Sequence, residues 1–432
     1  MLKGLDDSGD KKVYSKVMNK EESLTYIDLF AGAGGLSEGF IRAGFTPIAH
    51  VEMDDKACLT LKTRIAAHYL RKHKNDSTYD SYLKGEIDRK EFYSNVPPEL
   101  LNTVINKEIS EQTIHTIFNQ IDELLEKKTV DLVIGGPPCQ AYSVIGRSRD
   151  PNRMVNDSRN FLYKYYLDFL DKYKPSVFVF ENVRGLLSAG NDQQYLKALE
   201  NGFKDIGYEA DYKILDASNF GVLQNRKRVI FIGWKTKLNL SYPTFKEEQA
   251  DESLKDLWRD LPSLKPGEGK TCSYNKYDLP HNHYLKRNHI RNGKDFITQH
   301  KARPHNDRDL EIYKIAIEKF EDKERLKYTD LPKRLKTHKH EDIFTDRFKV
   351  LDKNGYSHTL TAHIYKDGHQ FIYPSLNQIR SISIREAARI QSFPDDYFFE
   401  GGQCAAFKQI GNAVPPLMAE GIAKEIKKML LS

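Results

Sequence analysis

Between Leu24 and Trp234 the chain alternates short apolar runs with amphipathic stretches. Thr25 to Phe30 reads as a strand, Ala31 to Gly35 as a tight turn, and Leu36 to Ala43 as a helix with Leu36, Phe40 and Ile41 on one face. Pro47 to Glu52 is the next strand. The alternation recurs with strands at Val130 to Ile134, Val177 to Phe180, Tyr212 to Asp216 and Arg228 to Trp234, and with helices near Phe161 to Lys172 and Gln193 to Ile206. Apolar strands separated by helical periodicity predict an α/β fold whose mostly parallel sheet is covered on both faces.

The pattern also divides the chain. Residues 1–23 are polar and aperiodic and read as a flexible leader; 24–242 form the sheet domain, with the charged stretch 65–129 as an insertion. After Trp234 the alternation stops, and 243–403 becomes rich in His, Lys, Asn, Pro and Tyr, which marks a second, smaller domain. Helical periodicity returns at Ile384 to Ile390 and at Pro416 to Leu430, so 404–432 is expected to pack back on the sheet domain.

Composition narrows the class. At 432 residues and 39% hydrophobic content the chain supports sizeable cores, and no run approaches the roughly 20 apolar residues of a membrane span. The start lacks the apolar stretch of a signal peptide, so the expected address is the cytoplasm. Cys58, Cys139, Cys272 and Cys404 are far apart, with no metal-finger spacing, so reduced thiols are expected and neither a disulfide framework nor a metal site. Of the net charge of +6, the whole excess lies in 281–350, with 18 Lys/Arg against 12 Asp/Glu and seven of the 14 histidines. That stretch is either a solvated charged surface or a phosphate-binding face.

Four clusters carry candidate chemistry. Gly135-Gly136-Pro137-Pro138-Cys139-Gln140 puts a thiol on a stiff turn at the exit of a buried strand, where open α/β sheets bind ligands; this suits a nucleophile, and a lone buried thiol is the competing reading. Phe30-Ala31-Gly32-Ala33-Gly34-Gly35 lets backbone N–H groups approach a ligand at a helix N-terminus. Glu52, at the end of the next strand, can accept hydrogen bonds from ribose hydroxyls; a structural turn or a dinucleotide site would look alike. Glu181, closing another strand, would share the crevice with Cys139. In Gln224-Asn225-Arg226-Lys227-Arg228 alternate spacing predicts Gln224, Arg226 and Arg228 on one face.

The ordered set of motifs resembles the DNA (cytosine-5)-methyltransferase family of bacterial restriction-modification type. The matching pieces are the turn at Phe30, Glu52, Pro137-Pro138-Cys139-Gln140, Asp157-x-Arg159-x-x-Leu162, Glu181-Asn182-Val183, Gln224-x-Arg226-x-Arg228, Arg385-Glu386-Ala387-Ala388-Arg389 and Gln409-x-Gly411-Asn412-Ala413-Val414. The resemblance implies a Rossmann-like S-adenosyl-L-methionine-dependent methyltransferase domain and a smaller target-recognition domain. It implies Cys139, Glu181, Arg226 and Arg228 as catalytic residues. For the cofactor it implies Phe30, Ala31, Gly32, Gly34, Gly35, Leu36, Glu52, Met53, Pro138, Leu162, Asn412, Ala413 and Val414. The family's adenine-contacting acid has its nearest counterpart here in Glu108 and Ile109, displaced by the insertion. Contacts to a flipped-out cytosine and its DNA are expected from Gln140, Ser143, Arg147, Arg159 and Gln224, with residues 140–160 as a loop that closes on the duplex. In the second domain Arg347, Ser357, Thr359, Thr361 and His363 are nominated for sequence reading.

Three rival readings stay open on the sequence: a transfer-RNA cytosine-5 methyltransferase of the same family, a catalytically idle DNA-binding protein with this fold, and a dinucleotide-dependent oxidoreductase. The last leaves Cys139, Glu181 and Arg228 without a joint purpose. The expected partners are double-stranded DNA and a restriction endonuclease of matching specificity, with the protein acting as a monomer.

Overall fold

Strands β1 (Thr25–Leu29), β2 (Thr46–Glu52), β3 (Val104–Asn106), β4 (Leu132–Gly135), β5 (Val177–Asn182), β6 (Tyr208–Asp216) and β7 (Lys227–Lys235) form one sheet in the order β3-β2-β1-β4-β5-β7-β6. They are drawn from a computed structural model that describes residues 23–126, 128–138, 162–188, 193–270, 276–280, 282–337, 341 and 345–432. The first five strands run parallel, and β7 lies antiparallel between β5 and β6. The parallel C-terminal ends therefore open on one edge, at the topological position where such sheets hold ligands.

Alternation within the strands sorts the two faces. In β5 the residues Phe178 and Phe180 join Ile27, Leu29, Val133 and Phe231 in one core, while Val177 and Val179 join Tyr26, Leu132, Ile134, Ile230 and Ile232 in the other. Helices α1 (Gly35–Arg42) and α8 (Pro416–Leu431) cover the second face; α3 (Ile114–Leu125), α4 (Leu162–Tyr173) and α5 (Gln194–Asp205) cover the first. Here α6 denotes Ile384–Ile390 and α7 Gln403–Asn412. A Cβ on Gly39 of α1 would overlap Ala419 and the backbone of Glu420, so this glycine sets how closely α1 and α8 cross. Each fully buried Phe or Ile here contributes roughly 1.5–3 kcal/mol.

The stretch 65–129 is not a single insertion. Helix α2 (Asp55–Lys72) runs into it, β3 supplies an edge strand of the main sheet, and α3 buries Ile114, Ile117 and Ile121 on the sheet. Only the short helices Asp76–Lys84, Arg89–Ser94 and Pro98–Asn102 are additional. A strand of three residues leaves no periodicity to read, which is why the sequence pattern merges it with its surroundings. Tyr79, Tyr82 and Phe92 of the added helices pack with Ala66, Ala67 and Leu70 and also with Phe296 and Phe398.

Residues beyond Trp234 build two further cores. In one, Leu254, Leu257, Tyr284, Ile297, Leu351, Leu360 and Phe371 surround α6 and take in Ala33 and Leu223 from the sheet domain. The other holds Ile312, Tyr313, Ile317, Leu326, Tyr328 and Phe348. The expected boundary at 403/404 also moves. Ala406, Phe407 and Ile410 of α7 belong to the core around α6, and only α8 returns to the sheet.

Two histidines of 243–403 serve this framework rather than its surface. His300 is buried between Ser383 Oγ (2.9 Å) and the Pro262 carbonyl (2.8 Å), and His369 Nδ1 meets Tyr313 Oη at 2.8 Å. Among the described residues no helix is long and apolar enough to cross a membrane, and no group of three His, Cys, Asp or Glu could hold a metal ion.

Candidate active site

The chain leaves β1 through backbone that only a glycine-rich turn tolerates. Phe30, Gly32 and Gly34 all have positive φ (56°, 55° and 78°), and Gly34 N–H donates to the Ala31 carbonyl at 2.9 Å before α1 begins at Gly35. A Cβ on Gly35 would overlap the Val414 carbonyl, whereas one on Gly32 would meet nothing within 4 Å. The turn is thus packed from below by the C-terminal segment and open above Gly32.

Glu52, the last residue of β2, reaches under this turn. It accepts from Gly32 N–H (2.8 Å), Met53 N–H (2.9 Å) and Asp54 N–H (2.8 Å). Burial pushes its carboxyl above the ordinary value, opposed by these backbone donors. Asp28, on β1, is 1% exposed with Oδ2 lacking a partner, and burial followed by the Glu52 charge holds its carboxyl well above the usual range. Met53 beside them is 58% exposed.

Of the other residues linked to the cofactor by resemblance, Ile109 is buried in the sheet core and Glu108 is exposed just beyond β3, its carbonyl taken by Thr113 Oγ1. The Leu36 side chain also lies in the core, so only its backbone at the start of α1 is available to the turn. Pro138 and Asn412 are exposed, Ala413 and Val414 are buried against the turn, and Leu162 is the first residue of α4.

The second half of the site lies at the ends of β4 and β5. A Cβ on Gly136 would stand 2.6 Å from Glu181 Oε2 and 2.8 Å from its carbonyl oxygen. Asn182 Nδ2 donates to the Pro137 carbonyl at 3.4 Å and so ties the Gly-Gly-Pro-Pro segment to β5. Arg228 Nε donates to Glu181 Oε1 at 2.8 Å, with both side chains about one-seventh exposed. Cys139, Gln140, Ser143, Arg147 and Arg159 lie outside the described residues, as does the loop expected to close on DNA. The segment that leads to Cys139 is described as far as Pro138.

Gln224, Arg226 and Arg228 do not share one face as alternate spacing predicts. β7 starts only at Lys227; Gln224 and Arg226 precede it, are completely buried, and turn most of their polar groups to the protein, with Arg226 Nε left without a partner. Gln224 Oε1 accepts from Leu360 N–H (2.7 Å) and its Nε2 donates to Gln391 Oε1 (2.8 Å). Arg226 donates to the carbonyls of Leu360 (2.5 Å) and Gly411 (3.2 Å). Burial, then the neighbouring Arg228 charge, lowers the Arg226 pKa. Of the three, Arg228 is the one hydrogen-bonded to Glu181.

Among the nominated sequence readers, Thr359 Oγ1 donates to the Asn225 carbonyl (2.7 Å), Thr361 precedes the turn Ala362–Tyr365, and Arg347 stands 3.7 Å from Asp367. Ser357 is fully buried and bridged to Gln224. Sequence reasoning passed over four residues of the site region: Asp28, Gly136, Asn182 and Gln391. The first three stand inside or beside quoted motifs and signal themselves only by position; nothing in the sequence marks Gln391.

A sheet of this order with a glycine turn after β1 and an acid after β2 defines a Rossmann-like methyltransferase. The model of the C-5 cytosine-specific DNA methylase family matches residues 24–89 and 75–428, and the chain belongs to that family. It is 41% identical to the type II methyltransferase M.Bpa9945I of Bacillus paralicheniformis, over 94% of this chain and 99% of that one. To M.XorII of Xanthomonas oryzae pv. oryzae it is 32% identical, over 94% and 84% of the two chains. Its fold is like that of a prophage-encoded E. coli protein described as a DNA modification methyltransferase, with TM-score 0.62, 24% identity, and 95% of this chain and all of that one covered. The chain is a DNA methyltransferase of the type found in type II restriction-modification systems.

Proposed function

We propose that this protein transfers the methyl group of S-adenosyl-L-methionine to C5 of one cytosine within a short double-stranded DNA sequence. The observation that carries the reading is the meeting, along one edge of the sheet, of the open glycine turn and Glu52 with Gly136, Glu181 and Arg228.

The chain's residues fit the methyl donor. The space above Gly32, the backbone of the turn around it and the Glu52 carboxyl beneath it suit a nucleoside. Phe30 to Gly35 and the Leu36 backbone would line the turn side, Glu52 the ribose, Met53, Glu108 and the Ile109 backbone the base, and Pro138, Leu162 and Asn412 to Val414 the remainder. When bound, the cofactor supplies an electrophilic methyl group.

Cytosine C5 is a poor nucleophile, so the ring has to be activated first. The Cys139 thiolate adds to C6 and the C5=C6 bond opens, while Glu181 holds the proton at N3 and Arg228 the O2 atom. The resulting enamine carbon, C5, takes the methyl group. The C5 proton then passes to solvent, its bonding pair re-forms C5=C6 as the C6–S bond breaks and the Cys139 thiolate leaves, and the N3 proton returns to Glu181. C6 is hidden in a stacked duplex, so the base leaves the helix at a cost of a few kcal/mol.

Bisulfite sequencing of DNA from a methylation-free host expressing the protein tests this: cytosines protected in one short context are expected, and none, with soluble protein present, overturns it. A duplex containing 5-fluorocytosine should trap covalently on the native protein and not on Cys139→Ala, because fluorine cannot leave as a proton does. Names of relatives as type II methyltransferases support a role in shielding DNA from a restriction endonuclease of matching specificity. The same reading has the protein act as a cytoplasmic monomer, since one copy can modify the two strands in turn; sedimentation with and without duplex tests the monomer.

A further inference from the structure

Leu360 has both of its backbone polar groups held by side chains from one short segment. Its N–H donates to Gln224 Oε1 (2.7 Å) and its carbonyl accepts from Arg226 (2.5 Å). The same two side chains continue in the opposite direction. Arg226 also donates to the Gly411 carbonyl, and Gln224 donates to Gln391, whose Nε2 donates to the carbonyls of Ile410 (2.7 Å) and Ala413 (3.3 Å). Gln224, Arg226, Leu360 and Gln391 are all completely buried, so water cannot replace a lost partner.

Each end of this knot leads to a different part of the site. On one side are residues 357–361, aligned with 223–225 by Ser357 N–H to the Leu223 carbonyl, Asn225 N–H to the Ser357 carbonyl, and Thr359 Oγ1 to the Asn225 carbonyl. On the other side are Ala413 and Val414, pressed against Gly35 of the glycine turn, with Asn412 just before them. The two sides also touch directly: a Cβ on Gly411 would stand 2.5 Å from the carbonyl carbon and oxygen of Thr361. A shift of residues 411–414 therefore pulls on Leu360, and a shift of 357–361 pulls on the floor of the turn.

We infer that Gln224, Arg226 and Gln391 are positioning residues that couple cofactor binding to DNA sequence discrimination. The inference rests on the proposed function, in which 412–414 line the cofactor site, and on the resemblance that nominates Thr359 and Thr361, in the segment held through Leu360, for sequence reading. Coupling of this kind is reciprocal: whatever cofactor does for DNA affinity, DNA does for cofactor affinity by the same factor.

The test uses the full-length protein, Gln391→Met, which keeps volume while releasing two carbonyls, and Arg226→Lys, which keeps charge but cannot span both carbonyls. Calorimetry gives the Kd of S-adenosyl-L-homocysteine with and without a duplex carrying the context found by bisulfite sequencing. In the native protein the duplex should tighten that Kd at least about fivefold, and in either variant less than about twofold. In the same variants the share of methylated cytosines outside the main context should rise about tenfold. Thermal melting identifies a variant that is merely unfolded; Gln391→Met, uncharged and near-isosteric, then decides. Native tightening that persists in the folded variants, or context fidelity that stays unchanged, overturns the coupling and leaves the methyltransferase reading intact. A native protein that protects no cytosine overturns both.

Discussion

Gly136 and Glu181 are packed so closely that a single methyl group on the glycine would lie 2.6 Å from Glu181 Oε2. β4 and β5 are parallel neighbours, with Gly135 opposite Phe180, and the same methyl group would stand 2.8 Å from the Glu181 carbonyl oxygen, which as backbone cannot swing away. Gly136→Ala should displace Glu181 from Arg228 and lower the single-turnover methylation rate about 10²-fold or more, the scale of losing a positioned acid–base group. S-adenosyl-L-homocysteine affinity should stay within about twofold of native, because the glycine turn is untouched. Rapid-quench kinetics with calorimetry checks both halves.

Glu52 accepts three backbone N–H groups, one of them from the glycine turn itself. Glu52→Gln replaces one acceptor oxygen with a donor that faces these same N–H groups. The turn should loosen and cofactor affinity fall by about 1–3 kcal/mol, roughly 5- to 150-fold in Kd. Titration calorimetry with S-adenosyl-L-homocysteine measures it; an unchanged Kd would remove Glu52 from the cofactor site.

Under α1, His50 Nε2 meets Ser37 Oγ at 2.8 Å, Nδ1 has no partner, and burial lowers the imidazole pKa to about 4. Unfolded, the same group titrates near 6.5. Between these values the unfolded chain binds the extra proton, so this site's stabilisation is present above about pH 6.5 and is lost as pH falls toward 4. The slope approaches roughly 1.4 kcal/mol per pH unit for one site. Urea unfolding from pH 7 to 4.5 should show that loss, and His50→Gln should flatten it. Equal slopes would place the pH dependence elsewhere.

Helix α6 buries Arg385, Glu386 and Arg389 completely. Arg389 pairs with Asp260 and Asp395, each at 2.6 Å. Against burial, which raises it, Arg389 holds the Asp395 carboxyl below its usual range. Arg389→Met strands those charges and should cost about 3–5 kcal/mol at neutral pH. Because the folded pKa of Asp395 is depressed, its contribution is present above the unfolded value near 3.9 and is lost as pH falls below it. The gap between native and variant should therefore narrow below about pH 4, as denaturant melts across pH will reveal.

These side chains show where reading a sequence succeeds and where it stops. The continuous apolar run Val177-Phe178-Val179-Phe180 specifies a strand buried on both faces, and Leu36, Phe40 and Ile41 specify a helix that covers it, because each pattern depends on residues a few positions apart. The glycine turn and Glu52 are legible for the same reason: a strand, a tight turn and a helix start are local events. The three-residue β3 is not, since its strand character comes from pairing with β2. Likewise Gln224 and Arg226 carry the composition of a surface and are buried, because their partners Leu360, Gln391 and Gly411 lie more than 130 residues away. By itself the sequence determined the α/β class, the ordered motifs and the chemical types at the site, all set by short-range periodicity and side-chain chemistry. Only the tertiary structure decided which polar groups face the crevice and which are satisfied inside, because the free energy of a buried donor depends on an acceptor that the fold, and not the neighbouring sequence, brings to it.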